Sequence, residues 1–276
     1  MDWIWTFPVI KEIGEWSAQL ISKAISTGSV PNHIAFIMDG NRTFARQKLS
    51  GINEGHAAGF DSMTNILGVC YKSGVRCATV FAFSTENFKR SNNEINALME
   101  LAKNKMKIVS NKGELCEKYG VKIRIIGDLS LVSDDVKNAL LKVEKDTEKY
   151  NYAILNVCFC YTSRADIVQS MYKNIVNGDS DNITEESISN DMWTGPSNCP
   201  KADLIIRTAG VRRLSDFLLW EASDSSTIEF IDVLWPEFGV FEMLKILIKW
   251  PLRKGPGIRD RDRDRDIDND IDVADK

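Results

Sequence analysis

The sequence predicts an α/β domain built on a central, mainly parallel six-stranded sheet flanked by helices. Three observations carry that expectation. Strand-like and helix-like stretches alternate from Ile34 to Lys249, an order that favours parallel strands with helices on both faces. The body holds no internal repeat and no linker. With 276 residues, 43% hydrophobic and 27% charged, the chain can bury one large core.

The elements follow in order. Ile34–Met38, entered from Pro31 and left at Gly40, is a short apolar run without helical period and reads as a buried strand. Further strands are expected at Thr79–Ser84, Lys122–Gly127, Ala153–Cys160, Leu204–Thr208 and Thr227–Leu234. Helical patterns lie between them at His56–Lys72, Ser91–Lys118, Ser133–Lys149 and Ser163–Asn177, and near the end at Val240–Lys249. Ser91 with Glu94 and Ser163 with Asp166 have capping-box spacing. Asp134 and Asp135 resemble part of an aspartate-rich magnesium motif, but acids in a first helical turn are explained by the helix dipole.

Outside this body, residues 1–30 and 251–276 differ in character. The stretch WIWTFPVIKEIGEWSAQLISKAI suits either an amphipathic helix at a membrane interface or one packed on the domain. The tail RDRDRDIDNDID is low in complexity and expected to be disordered. Residues Arg259 to Lys276 hold five basic and eight acidic side chains, net −3 of the chain's −4, so the body of 31–250 is almost neutral. That balance argues against a nucleic-acid partner held by a basic face. No stretch approaches the ~20 apolar residues of a membrane span, and no signal-peptide layout is present. The six cysteines include no C-x-x-C pair, with only His33 and His56 to complete a zinc site, and are expected as reduced, mostly buried thiols.

Four segments after strands or at helix starts carry polar residues that look out of place. They are Asp39-Gly40-Asn41-Arg42; Ser84, Asn87 and Arg90 in FSTENFKR; Arg207, Arg213 and Ser215 in IIRTAGVRRLSDFLLW; and His56 behind Gly55. Asp39 at a strand's carboxyl end suits a ligand or metal in the crevice there, and equally a turn acid capping the next helix. Together the segments offer one acid, several guanidinium groups and small donors, which is equipment for a diphosphate with Mg²⁺. Neither G-x-x-x-x-G-K-[ST] nor G-x-G-x-x-G is present, so a nucleotide is not indicated.

The blocks HIAFIMDGNR, FAFSTENFKRS, IRIIGDL, LNVCFCYTSR, RTAGVRRLSDFLLW and DVLWPEFG, in this order, closely resemble the cis-prenyltransferases, and especially eukaryotic, fungal-type dehydrodolichyl diphosphate synthases. The resemblance runs from about Pro31 to about Lys249. It implies condensation of isopentenyl diphosphate units onto an allylic diphosphate such as farnesyl diphosphate, each new double bond cis, with Mg²⁺ required. By the same resemblance Asp39 holds Mg²⁺ on the diphosphate, while Gly40, Asn41, Arg42 and the Thr43 position cradle the allylic diphosphate. His56, Ser84 and Asn87 orient the reacting groups, with Asn87 a candidate to assist proton removal. Arg207, Arg213 and Ser215 clamp the isopentenyl diphosphate, and Phe88 with Arg90 lines the space between. An apolar tunnel for the growing chain is expected from Asn65–Val69, Leu98–Ile108 and Ile154–Cys158.

The implied product is a long-chain polyprenyl diphosphate that becomes dolichol, made peripherally on the cytosolic face of the endoplasmic reticulum membrane or on lipid droplets. Partners implied are a second copy or a Nogo-B-receptor-like accessory subunit. The R-x-G spacing of such subunits occurs at Arg253-Lys254-Gly255, ahead of the tail. The chain departs from the family pattern at Thr43, usually basic, at Ala209, usually Ser, at Glu221, usually Gln, and at Val211, an acid in bacterial members. Two other readings stand beside this one: a synthase of different product length, and a non-catalytic subunit. The presence of Asp39 favours the catalyst.

Overall fold

The computed structural model describes residues 29–253, apart from 49–50, 112–113, 177–182, 196–198 and 224–225. The expected membrane-facing segment, the charged tail and the R-x-G spacing lie outside the described residues.

Six strands form one parallel sheet: β1 (His33–Ile37), β2 (Cys77–Ser84), β3 (Val121–Ile126), β4 (Ala153–Tyr161), β5 (Leu204–Arg207) and β6 (Thr227–Phe230). Their spatial order is β3-β4-β2-β1-β5-β6. The eight described α-helices are α1 (Asn41–Gln47), α2 (Ile52–Lys72), α3 (Asn92–Ser110), α4 (Leu115–Tyr119), α5 (Asp134–Thr147), α6 (Ser163–Val176), α7 (Glu185–Asp191) and α8 (Val240–Arg253).

The two faces of the sheet are covered unequally. On one, Ile34, Phe36, Val80, Ile123 and Leu155 meet apolar residues of α2 to α5 and α8, among them Leu67, Met106, Leu140 and Leu247. On the other, Ala35, Ile37, Cys158 and Ile205 lie under Phe217, Leu218 and Trp193. Burying a large aliphatic or aromatic side chain stabilises by about 1.5–3 kcal/mol. A two-sided sheet therefore tolerates continuous apolar strands such as HIAFI, buried throughout.

Four expectations need correction. The single helix expected at Ser91–Lys118 is two, because Asn111 takes an extended conformation (ψ 162°) and ends α3. The last strand stops at Phe230, since the carbonyls of Ile231 and Val233 accept instead from the N–H groups of Gly210 and Ala209. Neither expected capping box is reciprocal. Ser91 accepts from the Glu94 N–H, but the Glu94 side chain turns to cationic partners, while Ser163 Oγ accepts from the Leu219 N–H and Asp166 from the Trp193 N–H. Lastly, Cys77 and Cys199 form a disulfide; Cys70, Cys116, Cys158 and Cys160 are free and buried, as expected. Asp135 pairs with Lys103 at 2.7 Å in the first turn of α5, in keeping with a structural role.

Candidate active site

The chain leaves β1 for β2 on one side, whereas β4 leads to β5 on the other side of β1. Such a switch in strand order opens a crevice beyond the carboxyl ends of β1 and β5. Ile37 and Arg207 are Cα partners across those strands, so Asp39 and Arg207 stand at the crevice together.

Asp39 is fixed from several directions. Its Oδ2 accepts from Arg207 Nη2 at 2.8 Å and its Oδ1 from the Gly40 N–H at 2.9 Å. Its carbonyl accepts from Thr208 Oγ1 at 2.7 Å and from the Trp235 N–H at 3.0 Å. The side chain nevertheless remains 41% exposed, while Arg207 is 3% exposed. Gly40 has φ 110°, and a Cβ there would stand 3.0 Å from Leu234 Cα, so glycine is required for the chain to turn from β1 into α1.

Beyond this turn lies a polar pocket of about 600 Å³ of empty space, mouth included, lined by Met38 to Thr43 with Arg46, His56 and Arg90. Arg42 and Arg46 are one helical turn apart on α1. The cations are organised by Glu94, only 7% exposed: Arg90 Nη1 donates to its Oε1 at 3.0 Å, His56 Nε2 lies 3.4 Å away and Arg42 Nε 3.7 Å away. Burial lowers the His56 pKa, the hydrogen bond to Glu94 opposing it, so the neutral imidazole is favoured.

The other expected site residues fall into two groups. Arg207 Nη1 donates to Ser215 Oγ at 2.7 Å and to the carbonyl of Arg213, whose own side chain is exposed. Arg213 thus meets this cluster through its backbone. The segment after β5 is conformationally costly, with Ala209, Ser215, Asp216 and Leu218 all at φ between 45° and 68°. Such residues cost on the order of 1–3 kcal/mol each and collect where a loop is held for a purpose. Ser84 and Asn87 cap a 3₁₀ turn over Thr85–Lys89: Ser84 Oγ accepts from the Glu86 N–H, and Asn87 Oδ1 from the Ser84 N–H at 3.1 Å. That leaves the Asn87 amide nitrogen as its donor toward a ligand. Phe88 packs edge-on against Phe83, ring centroids 5.0 Å apart.

Met38, Asn41 and His56 also line a second space, about 690 Å³ with its mouth, between α2, α3 and the sheet. Its walls are Phe60, Met63, Val80, Phe83, Leu98, Leu101, Ala102, Met106, Val157 and Phe159. Leu98–Ile108 and Ile154–Cys158 contribute as expected, but Asn65–Val69 does not, because Ile66 and Leu67 are spent in the core and α2 presents Gly59, Phe60 and Met63 instead. The structure has an apolar cavity here; a through-going tunnel is not shown. Glu94 also stands with the motif residues at the cationic pocket, where the motif reading gave it only a helix-capping place, and Arg46 lines that pocket. Spacing offered a signal for Arg46, four residues after Arg42 on α1, whereas Arg90 lies in extended backbone ahead of α3 and its contact with Glu94 follows from no helical face.

A family model described as "Putative undecaprenyl diphosphate synthase" matches residues 37–255. This chain belongs to that prenyltransferase family. It is 42% identical over 240 residues, 86% of this chain and 91% of the relative, to a dehydrodolichyl diphosphate synthase complex subunit of Schizosaccharomyces pombe. A human dehydrodolichyl diphosphate synthase complex subunit is 39% identical over 246 residues, 87% of this chain and 73% of the relative. Among solved structures, lavandulyl diphosphate synthase from Lavandula x intermedia in complex with dimethylallyl diphosphate superposes with a TM-score of 0.73 at 27% identity, covering 80% of this chain and 95% of that one. The prenyltransferase thus shares its six-stranded parallel fold with enzymes of prenyl diphosphate chemistry.

Proposed function

We propose that this prenyltransferase condenses isopentenyl diphosphate units onto farnesyl diphosphate and elongates the product, with cis double bonds, to a long-chain dehydrodolichyl diphosphate for dolichol synthesis. One observation carries the reading: a cationic pocket and an apolar cavity share Met38, Asn41 and His56 as their common wall. An allylic diphosphate has the same two halves, a polyanionic head and a hydrocarbon tail.

In each cycle the allylic C–O bond breaks, diphosphate leaves, the isopentenyl double bond attacks the allylic carbon, and a proton is lost from the adduct. Arg42, Arg46 and Arg90 surround the position where negative charge grows on the leaving group. Fixed donors aimed at developing charge lower a barrier more than they strengthen ground-state binding. Glu94 holds Arg42 and Arg90 in place before substrate arrives. Arg207 and Ser215, tied to Asp39, are suited to the second diphosphate, and neutral His56 has a ring nitrogen to orient either partner. The apolar cavity excludes water from the hydrocarbon tail.

Asp39 suits Mg²⁺: its carboxylate is 41% exposed beside the cationic pocket, and Mg²⁺ is commonly held by one or two carboxylates together with substrate phosphates. When bound, the ion neutralises diphosphate charge. The polyprenyl product calls for a membrane. Residues 1–30, aromatic and apolar with few charges, are assigned peripheral contact with the endoplasmic reticulum membrane; among the described residues no helix is long and apolar enough to cross one. A protein partner, either a second copy or an accessory subunit, is supported by an exposed apolar stripe on α6, Val168, Met171, Tyr172, Ile175 and Val176, in the i, i+3, i+4, i+7, i+8 pattern of a helix face that packs.

The test is incorporation of labelled isopentenyl diphosphate with farnesyl diphosphate and Mg²⁺, by the chain alone and with a candidate accessory subunit, products sized. Long polyprenyl products from either preparation support the reading. No incorporation by both overturns it in favour of a non-catalytic subunit.

A further inference from the structure

A second cluster with chemistry of its own lies at the opposite, amino-terminal edge of the sheet. His33 opens β1 and Cys77 opens β2, and the two are Cα partners in the ladder. Cys199 arrives from the segment before β5 and is disulfide-bonded to Cys77. His33 Nδ1 stands 3.7 Å from Cys199 Sγ, and the ligand atoms of all three residues lie within 4.8 Å of one another. Tetrahedral zinc bound by two sulfurs at about 2.3 Å and one nitrogen at about 2.0 Å sets its ligand atoms roughly 3.5–3.8 Å apart. The cluster therefore comes within small side-chain adjustments of that arrangement.

Its surroundings are those of a metal site. Asn156 Nδ2 lies 3.5 Å from both sulfurs, a donor that stabilises thiolate. Thr79 Oγ1, which accepts from Asn156 at 3.0 Å, is 2.7 Å from His33 Nε2, and the Pro200 carbonyl is 2.7 Å from Nδ1. A metal at Nδ1 replaces the Pro200 contact, with the ring proton carried on Nε2 toward Thr79. His33, Thr79, Asn156 and Cys199 all face a cavity of about 820 Å³ of empty space, mouth included, which supplies a path of entry and room for a fourth ligand such as water.

We propose that Cys77, Cys199 and His33 form a redox-gated site for a soft divalent cation of the zinc class, closed as a disulfide and opened by a dithiol reductant. Opening transfers two electrons and two protons: the reductant becomes a disulfide, the Cys77–Cys199 bond breaks, and two thiols form. Metal binding then releases both thiol protons and makes two metal–sulfur bonds and one metal–nitrogen bond. The soft thiolates set this site apart from the single hard carboxylate of Asp39 at the other edge.

The test uses the full chain and Co²⁺, whose thiolate charge-transfer absorption reports sulfur ligation. Reduced protein is expected to show that absorption with one Co²⁺ per chain, displaced by Zn²⁺, while protein kept oxidised shows none of it. Cys199→Ser, at the more exposed cysteine, should weaken binding at least a hundredfold with an unchanged circular dichroism spectrum, and Asp39→Ala should leave binding intact. No thiolate-type cobalt spectrum from reduced, folded protein overturns the proposal. So does an equal uptake by the oxidised and reduced forms, which needs no substituted protein to measure.

Discussion

Arg207 Nη2 donates to Asp39 Oδ2 at 2.8 Å, joining the carboxyl ends of two adjacent strands at the point where the sheet changes direction. The guanidinium is 3% exposed and the carboxylate 41% exposed, so the pair is anchored from the arginine side and open to ligand from the acid side.

Asp39→Asn keeps a hydrogen-bond acceptor for Arg207 but removes the charge that Mg²⁺ requires. We expect kcat to fall by about a hundredfold or more with little change in Tm. Asp39→Ala should lose activity similarly and also lower Tm, because it leaves the buried Arg207 short of an acceptor. Radiolabel incorporation and thermal unfolding of the two variants provide the check; near-normal turnover in either removes Asp39 from the metal role.

Arg46 lines the cationic pocket beside Thr43, a position where the resemblance leads us to expect a basic residue. A hydrogen bond to a charged group is worth about 1.5–3 kcal/mol, so Arg46→Ala should reduce kcat/KM for the allylic primer by about ten- to a hundredfold. Thr43→Arg should add little to the natural chain and recover much of the loss in the Arg46→Ala background. Steady-state kinetics against primer concentration measure both, and a large gain from Thr43→Arg alone would mean that Arg46 does not reach the diphosphate.

Glu94→Gln removes the acid shared by Arg42, His56 and Arg90. Primer KM should rise by roughly tenfold as the cations lose their arrangement. The Glu94 hydrogen bond and charge both raise the His56 pKa against the effect of burial. Their loss should therefore move the histidine titration, followed by nuclear magnetic resonance, to still lower pH. An unmoved titration with normal KM would mean that the Glu94 charge does not arrange the pocket.

Ala102→Leu puts added bulk into the wall of the apolar cavity. Shorter polyprenyl products at a nearly unchanged rate of first condensation are expected, read by chromatography of the dephosphorylated products. An unaltered length distribution would place the growing chain elsewhere.

Glu221 is half-buried; its Oε1 accepts from Thr194 Oγ1, its Oε2 is buried without a hydrogen-bond partner among the described residues, and desolvation raises its pKa above the ordinary 4.5. The unfolded chain therefore releases this proton first, and the stability Glu221 contributes below pH 4.5 is lost as pH rises through its folded pKa. Glu221→Gln should raise Tm at pH 7 and make little difference in acid. A lower Tm at neutral pH would show that the ionised carboxylate is needed where it stands.

The sheet was legible because its strands are short apolar runs closed by turn residues, a pattern with few other solutions. Helix α1 was not: NRTFARQ has one buried residue, Ala45, and shows no apolar period. The turn at Asp39–Arg42 and the cluster of Arg207 with Ser215 could be read from motifs. Glu94 was hidden because its capping-box spacing gave it a sufficient local explanation, and only the side chain's direction reveals Arg42, Arg90 and His56 around it. The Cys77–Cys199 bond spans 122 residues, a separation that no local pattern encodes.

The position of β5 beside β1 also dictates when this site can come into being. Translation of the first 200 residues delivers β1 to β4, four neighbouring strands that can pair with one another and collect most of their helices. Arg207, Ser215 and Trp235, which fix Asp39 and its turn, are not yet made. Contacts of such long sequence separation form late, after the loop between them has been closed. The nascent chain would thus acquire a core and the cations of its first pocket before it acquires Arg207 and Ser215, and a ribosome stalled before β5 would display a folded intermediate without the cluster suited to the second diphosphate.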